Sequence, residues 1–296
     1  MTSNPAITFA VPFYRGTRYL ARAIDSIFAQ TDPAWRAIVV DDGPEPGVDE
    51  LVRSYGERIA YVRNPANLGL GGNFNRCLDL ATTELVTVLH ADDALMPDYA
   101  RTMRAAAERH PGAVAVFCRT RIIGPDDAPA LSLADVVKDC IHPSRNRELT
   151  LHGEPGVRAL LRANFIPAPT LLFRRSILGD RRFPAQYKFV LDWELTTQLL
   201  LDGETLIGIP DRCYRYRRHD DAATSQYTRT QLRFREESAY YDRMQGVASS
   251  RGWPRCVAVA RRKRMTKLNI TYRALRSVCA LELAEARRSF RLLREL

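Results

Sequence analysis

Residues 36–43 read Arg36-Ala37-Ile38-Val39-Val40-Asp41-Asp42-Gly43. A short apolar run rich in β-branched residues stops abruptly at two carboxylates and a glycine. Apolar residues at consecutive positions suit a strand covered on both faces, and the polar ending marks where the chain leaves the core. The same pattern recurs on either side. Ile7 to Phe13, Ile59 to Val62, Leu85 to Leu89 and Ala113 to Phe117 read as further strands. Between them, Tyr19 to Ala29, Val48 to Tyr55, Asn73 to Ala81 and Asp98 to Glu108 have helical spacing. Strand alternating with helix predicts an α/β fold with a mostly parallel sheet and helices on both faces. In such sheets ligands gather at the carboxyl ends of the strands.

Residues 124–155 interrupt this rhythm with Gly124-Pro125-Asp126-Asp127, Pro129, Pro143 and Pro155, which predicts a long loop insertion. Thr170 to Phe173 returns to the sheet. Asp192 to Leu201 is helical and ends at Gly203, and Thr205 to Ile209 and Cys213 to Tyr216 are short strands. From Pro254 onward the spacing is helical. Leu268, Tyr272, Leu275, Cys279, Leu283, Ala286, Phe290 and Leu293 recur every three or four residues and are expected to share one face. The expected division is a catalytic domain over 1–225 and a basic helical extension over 226–296.

The chain of 296 residues is 46% hydrophobic, enough for one large domain with an appendage. Its net charge of +10 is concentrated at one end, with 13 Lys or Arg against 3 Asp or Glu from residue 247 onward. The first 246 residues balance at 31 of each sign. A basic tail can meet anionic lipid or an acidic partner, pair with a second copy through its apolar stripe, or be a solvated helical face. Nucleic acid is not expected. No stretch reaches the roughly 18 to 20 apolar residues of a membrane span, and Met1 to Pro5 does not open a signal peptide. The six cysteines are scattered without metal-ligand spacing and read as reduced thiols. The expectation is a cytoplasmic protein, at most peripheral to the inner face of the membrane.

Polar clusters follow four of the strands: Tyr14-Arg15-Gly16, Asp41-Asp42-Gly43, Asn64 to Asn75, and His90-Ala91-Asp92-Asp93. Adjacent carboxylates repel each other, so Asp92-Asp93 favours a hard divalent cation such as Mg²⁺ or Mn²⁺ beside it. The pair also suits the start of the helix that follows, the lesser of the two readings. Gly69-Leu70-Gly71-Gly72 does not complete a dinucleotide fingerprint, because Phe74 stands where the third glycine belongs. Those glycines are expected to ease a turn or let backbone approach a nucleotide.

Taken in order, Val11-Pro12-Phe13-Tyr14, Ile38 to Gly43, Asn67-Leu68-Gly69, Asp92-Asp93, Leu191-Asp192-Trp193-Glu194 and Tyr216-Arg217-Arg218-His219 resemble the family 2 inverting glycosyltransferases. The resemblance covers about residues 5–225 and implies the Rossmann-like GT-A fold. It implies a nucleotide-sugar donor, UDP in preference to dTDP, held by Pro12, Phe13, Tyr14, Asp41, Asn67, Asn75, Asp92 and Arg218. It implies a metal on Asp93 and His219, and Asp192 as the base that takes the acceptor's proton. The acceptor would be a saccharide, a lipid-linked saccharide or a small molecule. Glu194 is the substitute base, and Trp193 suits either a sugar face or the core. His90 departs from the family, which often has Asp there. A nucleotidyltransferase and a non-catalytic nucleotide-binding module are the alternatives.

Overall fold

A computed structural model describes residues 6–130, 142–143 and 145–296. Residues 131–141 and 144 of the 124–155 insertion, Cys140 among them, therefore lie outside the described residues. The first half alternates as expected: β1 (Ile7–Phe13), α1 (Thr17–Phe28), β2 (Trp35–Asp41), α2 (Val48–Arg53), β3 (Ile59–Arg63), α3 (Gly69–Leu80), β4 (Leu85–Val88), β5 (Ala94–Leu95), α4 (Tyr99–Arg109), β6 (Ala115–Phe117) and β7 (Thr120–Ile123). The chain continues with β8 (Leu149–His152), α5 (Gly153–Arg162), a 3₁₀ turn (Ala168–Thr170), β9 (Leu171–Arg174) and α6 (Arg175–Leu178). The chain then forms α7 (Leu191–Leu201), β10 (Thr205–Gly208), β11 (Tyr214–Arg217), α8 (Ala223–Arg229), α9 (Leu232–Ser250), α10 (Pro254–Arg262), α11 (Arg264–Cys279) and α12 (Leu283–Glu295).

Eight strands form one sheet in the order β3-β2-β1-β4-β9-β6-β10-β8. β9 runs antiparallel to both its neighbours, β8 runs antiparallel to β10, and the remaining pairs are parallel. A second sheet of three strands, β5-β11-β7, sits beyond the end of β4. β8 corrects the reading of 124–155 as loop throughout.

Strand alternation sends Phe9, Val11 and Phe13 into a core with Leu20, Ile24, Tyr99 and Met103. Ala10 and Val40 face the opposite core, with Phe74, Leu160, Leu199, Tyr240, Met244 and Cys256. That second core includes residues from α9 and α10, so the expected boundary at 225/226 does not coincide with a break in packing. Only the hairpin of α11 and α12 has its own small cluster, Ile270 and Leu292 against Phe234. Its eight-residue stripe does not form one face. The helix stops at Cys279, Leu281 takes a positive φ of 58°, and a new helix begins at Leu283. Cys77, Cys118, Cys213, Cys256 and Cys279 are free thiols. No helix among the described residues is long and apolar enough to cross a membrane.

Candidate active site

β1, β2 and β4 are parallel, so their carboxyl ends point the same way; β1 and β2 end together, with Phe13 paired to Asp41, and β4 stops three residues short, with Val88 opposite Ala10. Their polar successors therefore meet on one rim. The approach of β1 to β2 leaves no room at Gly43, where a Cβ would stand 1.7 Å from the Tyr14 carbonyl oxygen. Tyr14 itself is exposed and Pro12 half-buried. The Phe13 ring is fully buried in the core, so the donor contact expected of it is corrected: only its backbone reaches the rim, its carbonyl accepting from the Asp42 N–H and the Asn73 amide.

The two carboxylates after β2 have separate tasks. Asp41, fully buried, accepts hydrogen bonds from Gly43 N, Tyr61 Oη and Arg63. Asp42 accepts from the backbone N–H groups of Leu68 and Gly69 at 2.8–3.1 Å and from Asn64 Nδ2 at 2.8 Å. It anchors the start of α3, where the partial positive charge of the helix N-terminus favours an anion. Asn67 closes a local turn onto Gly69 N. The glycines form the first turn of α3. A side chain on Gly71 would stand 2.9 Å from Ala185 Cα, so that glycine admits another loop of the protein. Asn75 likewise pairs both amide atoms with the Phe183 backbone at 2.8 Å, which engages the side chain expected on the nucleotide.

After β4, donor atoms of His90, Asp92 and Asp93 lie within 4.8 Å of one another. β11 closes the group from the far side: His219 Nε2 is 3.0 Å from Asp92 Oδ2. The carboxylates differ in access. The Asp92 side chain is 35% exposed and the Asp93 side chain 2%. Asp93 accepts hydrogen bonds from Tyr214 Oη at 2.9 Å and Arg217 N at 2.7 Å. Burial and then the charge of Asp92 push the Asp93 carboxyl well above its usual range. Burial also raises Asp92, but the His219 hydrogen bond and the nearby imidazoles outweigh it and hold that carboxyl below its usual range. His90 Nε2 and His219 Nδ1 are buried without a hydrogen-bond partner. Two carboxylates faced by His90 Nδ1 at 3.8 Å and His219 Nε2 at 3.0 Å are a donor set that Mn²⁺ or Mg²⁺ fits.

Arg217 is buried and fully engaged. Its guanidinium donates to the carbonyls of Asp92 and Gly124 and to Asp127. Arg218 is exposed.

Asp192 lies in the first turn of α7, half-buried, with Asn164 Nδ2 at 3.5 Å from Oδ2. Burial raises its carboxyl to about 6, against weaker lowering by backbone and Asn164 hydrogen bonds. Its neighbours face inward. Glu194 pairs with Arg243, and the Trp193 ring packs against Tyr240 and Tyr241 with centroids 4.2 and 5.2 Å apart. Neither a substitute base nor a sugar platform is available there. The loop that leads to Asp192 packs along α3. The Phe74 ring touches Phe183 at 5.3 Å on one side and His90 at 5.2 Å on the other, linking the approach to Asp192 with the acidic cluster.

This sheet order, with carboxylates at the carboxyl ends of its strands, defines a GT-A fold. The solved structures agree. S. aureus TarS 1-349 in complex with UDP-GlcNAc has a TM-score of 0.65 at 14% identity, over 98% of this chain and 92% of that one. The mannosyltransferase PcManGT of Pyrobaculum calidifontis, in complex with GDP-Man and Mn²⁺, has 0.60 at 18% identity, over 99% and 86%. Residues 8–179 match the model of glycosyl transferase family 2, and the chain belongs to that family. Among its relatives is an uncharacterized glycosyltransferase of Rickettsia typhi, 27% identical over 209 residues, 70% of this chain and 64% of that one. The succinoglycan biosynthesis protein ExoW of Rhizobium meliloti is 38% identical over 100 residues, 31% of each chain. The chain spans less than two thirds of the length of the first relatives it matches.

Proposed function

We propose that this chain is an inverting glycosyltransferase that moves a sugar from a nucleoside diphosphate donor, UDP in preference to dTDP, to an acceptor hydroxyl. The observation that carries it is the cluster of His90, Asp92 and Asp93 at the end of β4, closed by His219, within a family 2 domain. Pro12 and Tyr14 wall the nucleobase. The more exposed Asp92, with His90 and His219, would hold Mg²⁺ or Mn²⁺; the metal contact expected of Asp93 passes to Asp92, because Asp93 is buried and already accepts from Tyr214 and Arg217 N, which fixes the turn. A bound cation neutralises charge on the departing diphosphate. Arg218 adds a guanidinium for the phosphates.

Asp192 is the base. An acceptor hydroxyl is too weak an acid to ionise at neutral pH, and a carboxyl raised to about 6 is near the operating pH that base catalysis favours. Asp192 takes the proton as the acceptor oxygen bonds to the anomeric carbon. The bond from that carbon to the diphosphate breaks, its electron pair leaves with the nucleoside diphosphate, and the anomeric configuration inverts. The UDP preference draws support from the UDP-GlcNAc complex of TarS. A saccharide, a lipid-linked saccharide or a small molecule serves as acceptor.

The test is a panel of UDP-, dTDP- and GDP-sugars with Mn²⁺, read by thermal stabilisation and release of nucleoside diphosphate. Stabilisation and release by UDP-sugars above the others are expected. Release of pyrophosphate instead, or binding of no nucleotide-sugar, would overturn the reading.

A further inference from the structure

The C-terminal hairpin turns an apolar stripe of α11, and Leu283 and Phe290 of α12, outward. In α11 the buried positions are Thr266, Ile270, Ala274 and Ser277, two of them hydroxyl residues. Leu268, Tyr272, Leu275 and Cys279 recur at helical steps on the opposite face and are exposed, Tyr272 at 61%. In α12 the buried positions are Ala286, Ser289 and Leu292. Leu283, Arg287, Phe290 and Arg294 form its outward stripe, all exposed. Leu281, in the turn between the helices, is 82% exposed. A monomeric soluble surface rarely carries so many large apolar side chains together.

The charge on these helices selects the occupant. The hairpin's own ion pairs join Arg273 and Arg288 to Glu285. Arg276, Arg287, Arg291 and Arg294 are exposed and take no part in them. From residue 247 onward basic residues outnumber acidic ones 13 to 3. A second copy docked on this face would set like charges against each other. An anionic lipid surface satisfies both properties: aromatic and aliphatic side chains enter the boundary between headgroups and acyl chains, and guanidinium groups meet phosphate.

We propose that the α11–α12 hairpin is a peripheral docking surface for anionic membranes. The surface is independent of the catalytic reading, since vesicle binding needs no turnover.

The full chain is floated with vesicles of phosphatidylcholine alone and of an equal mixture with phosphatidylglycerol, in low and in high salt. Binding to the mixed vesicles is expected, weakening as salt rises. Replacing Arg276, Arg287, Arg291 and Arg294 by Gln lowers the partition coefficient by about fivefold per arginine. The pair Leu275→Ser and Phe290→Ser lowers it by about tenfold, reflecting partial burial of two large apolar groups. Circular dichroism and UDP binding equal to the parent's show that both variants are folded. Absence of binding to mixed vesicles in low salt would overturn the proposal, as would equal binding to phosphatidylcholine alone or undiminished binding by the arginine variant. A dimer in solution that the Leu275/Phe290 variant dissolves would assign the face to a second copy instead.

Discussion

Glu236 Oε2 lies 2.7 Å from the backbone nitrogen of Phe189, and the same carboxylate accepts from Lys188 N and Val190 N. A side chain of α9 thus caps the turn from which α7 begins, two residues before Asp192. Glu236→Ala leaves three N–H groups without their acceptor and is expected to cost about 1–3 kcal/mol of stability. Turnover is expected to fall at least tenfold while the KM for donor changes little, because the displaced group is the proposed base. Glu236→Gln, which keeps one acceptor oxygen, recovers part of the rate. Thermal melts and steady-state kinetics check both.

As the proposed base, Asp192 is expected to govern the pH profile. Only its carboxylate accepts a proton, so kcat/KM is expected to rise with pH through about 6 and level off above. Its effect on stability runs the other way. Because the folded state raises this carboxyl from 3.8, the protein holds the proton more tightly than the unfolded chain does. Stability from this group is therefore lost as pH rises between those values. Asp192→Asn abolishes transfer, leaves UDP binding intact, and leaves the melting temperature at pH 7 unchanged or raised. Normal turnover by this variant would remove Asp192 as the base.

The adjacent carboxylates separate by substitution. Asp92→Asn is expected to weaken Mn²⁺ binding, followed by calorimetry, and to reduce donor hydrolysis by at least a hundredfold with little change in melting temperature. Asp93→Ala unpairs Tyr214 and Arg217 N in the interior and costs about 1–3 kcal/mol for each group left unsatisfied. A melting temperature that falls for Asp92→Asn and holds for Asp93→Ala would reverse these roles.

Gly43→Ala tests the close approach of β1 and β2. A methyl group there would overlap the Tyr14 carbonyl, and backbone cannot rotate away as a side chain does. A loss of about 1–3 kcal/mol or more is expected, together with weakened UDP binding as Tyr14 is displaced. Unchanged calorimetry in both respects would mean that the Tyr14 wall is not part of the donor site.

The strand and helix alternation of the first half was legible because each buried strand announces itself by an unbroken apolar run. β8 was not, because Leu149-Thr150-Leu151-His152 is a short edge strand of mixed polarity beyond a proline-rich stretch. The strand ends drew attention to the right segments but not to every correct atom. Period-two alternation buries Phe13, a distinction that becomes certain only once the register of β1 is known. Asp42, rather than Asp41, anchors the Asn67-Leu68-Gly69 turn, and nothing in two neighbouring aspartates tells which one faces it. Glu236 was illegible for a different reason: its partners lie 46 to 48 residues away and are backbone N–H groups, which leave no mark on a sequence. The outward stripe of α11 shows the converse, since helical spacing identifies an apolar face without saying what covers it.

The placement of α9 against α7 limits how the molecule can be dissected. A fragment ending near residue 230 would strip Tyr240 and Tyr241 from the Trp193 ring and orphan the Glu194 carboxylate that Arg243 neutralises. A piece that keeps these contacts therefore extends at least through α9 at Ser250, well past the last residue of the family match at 179.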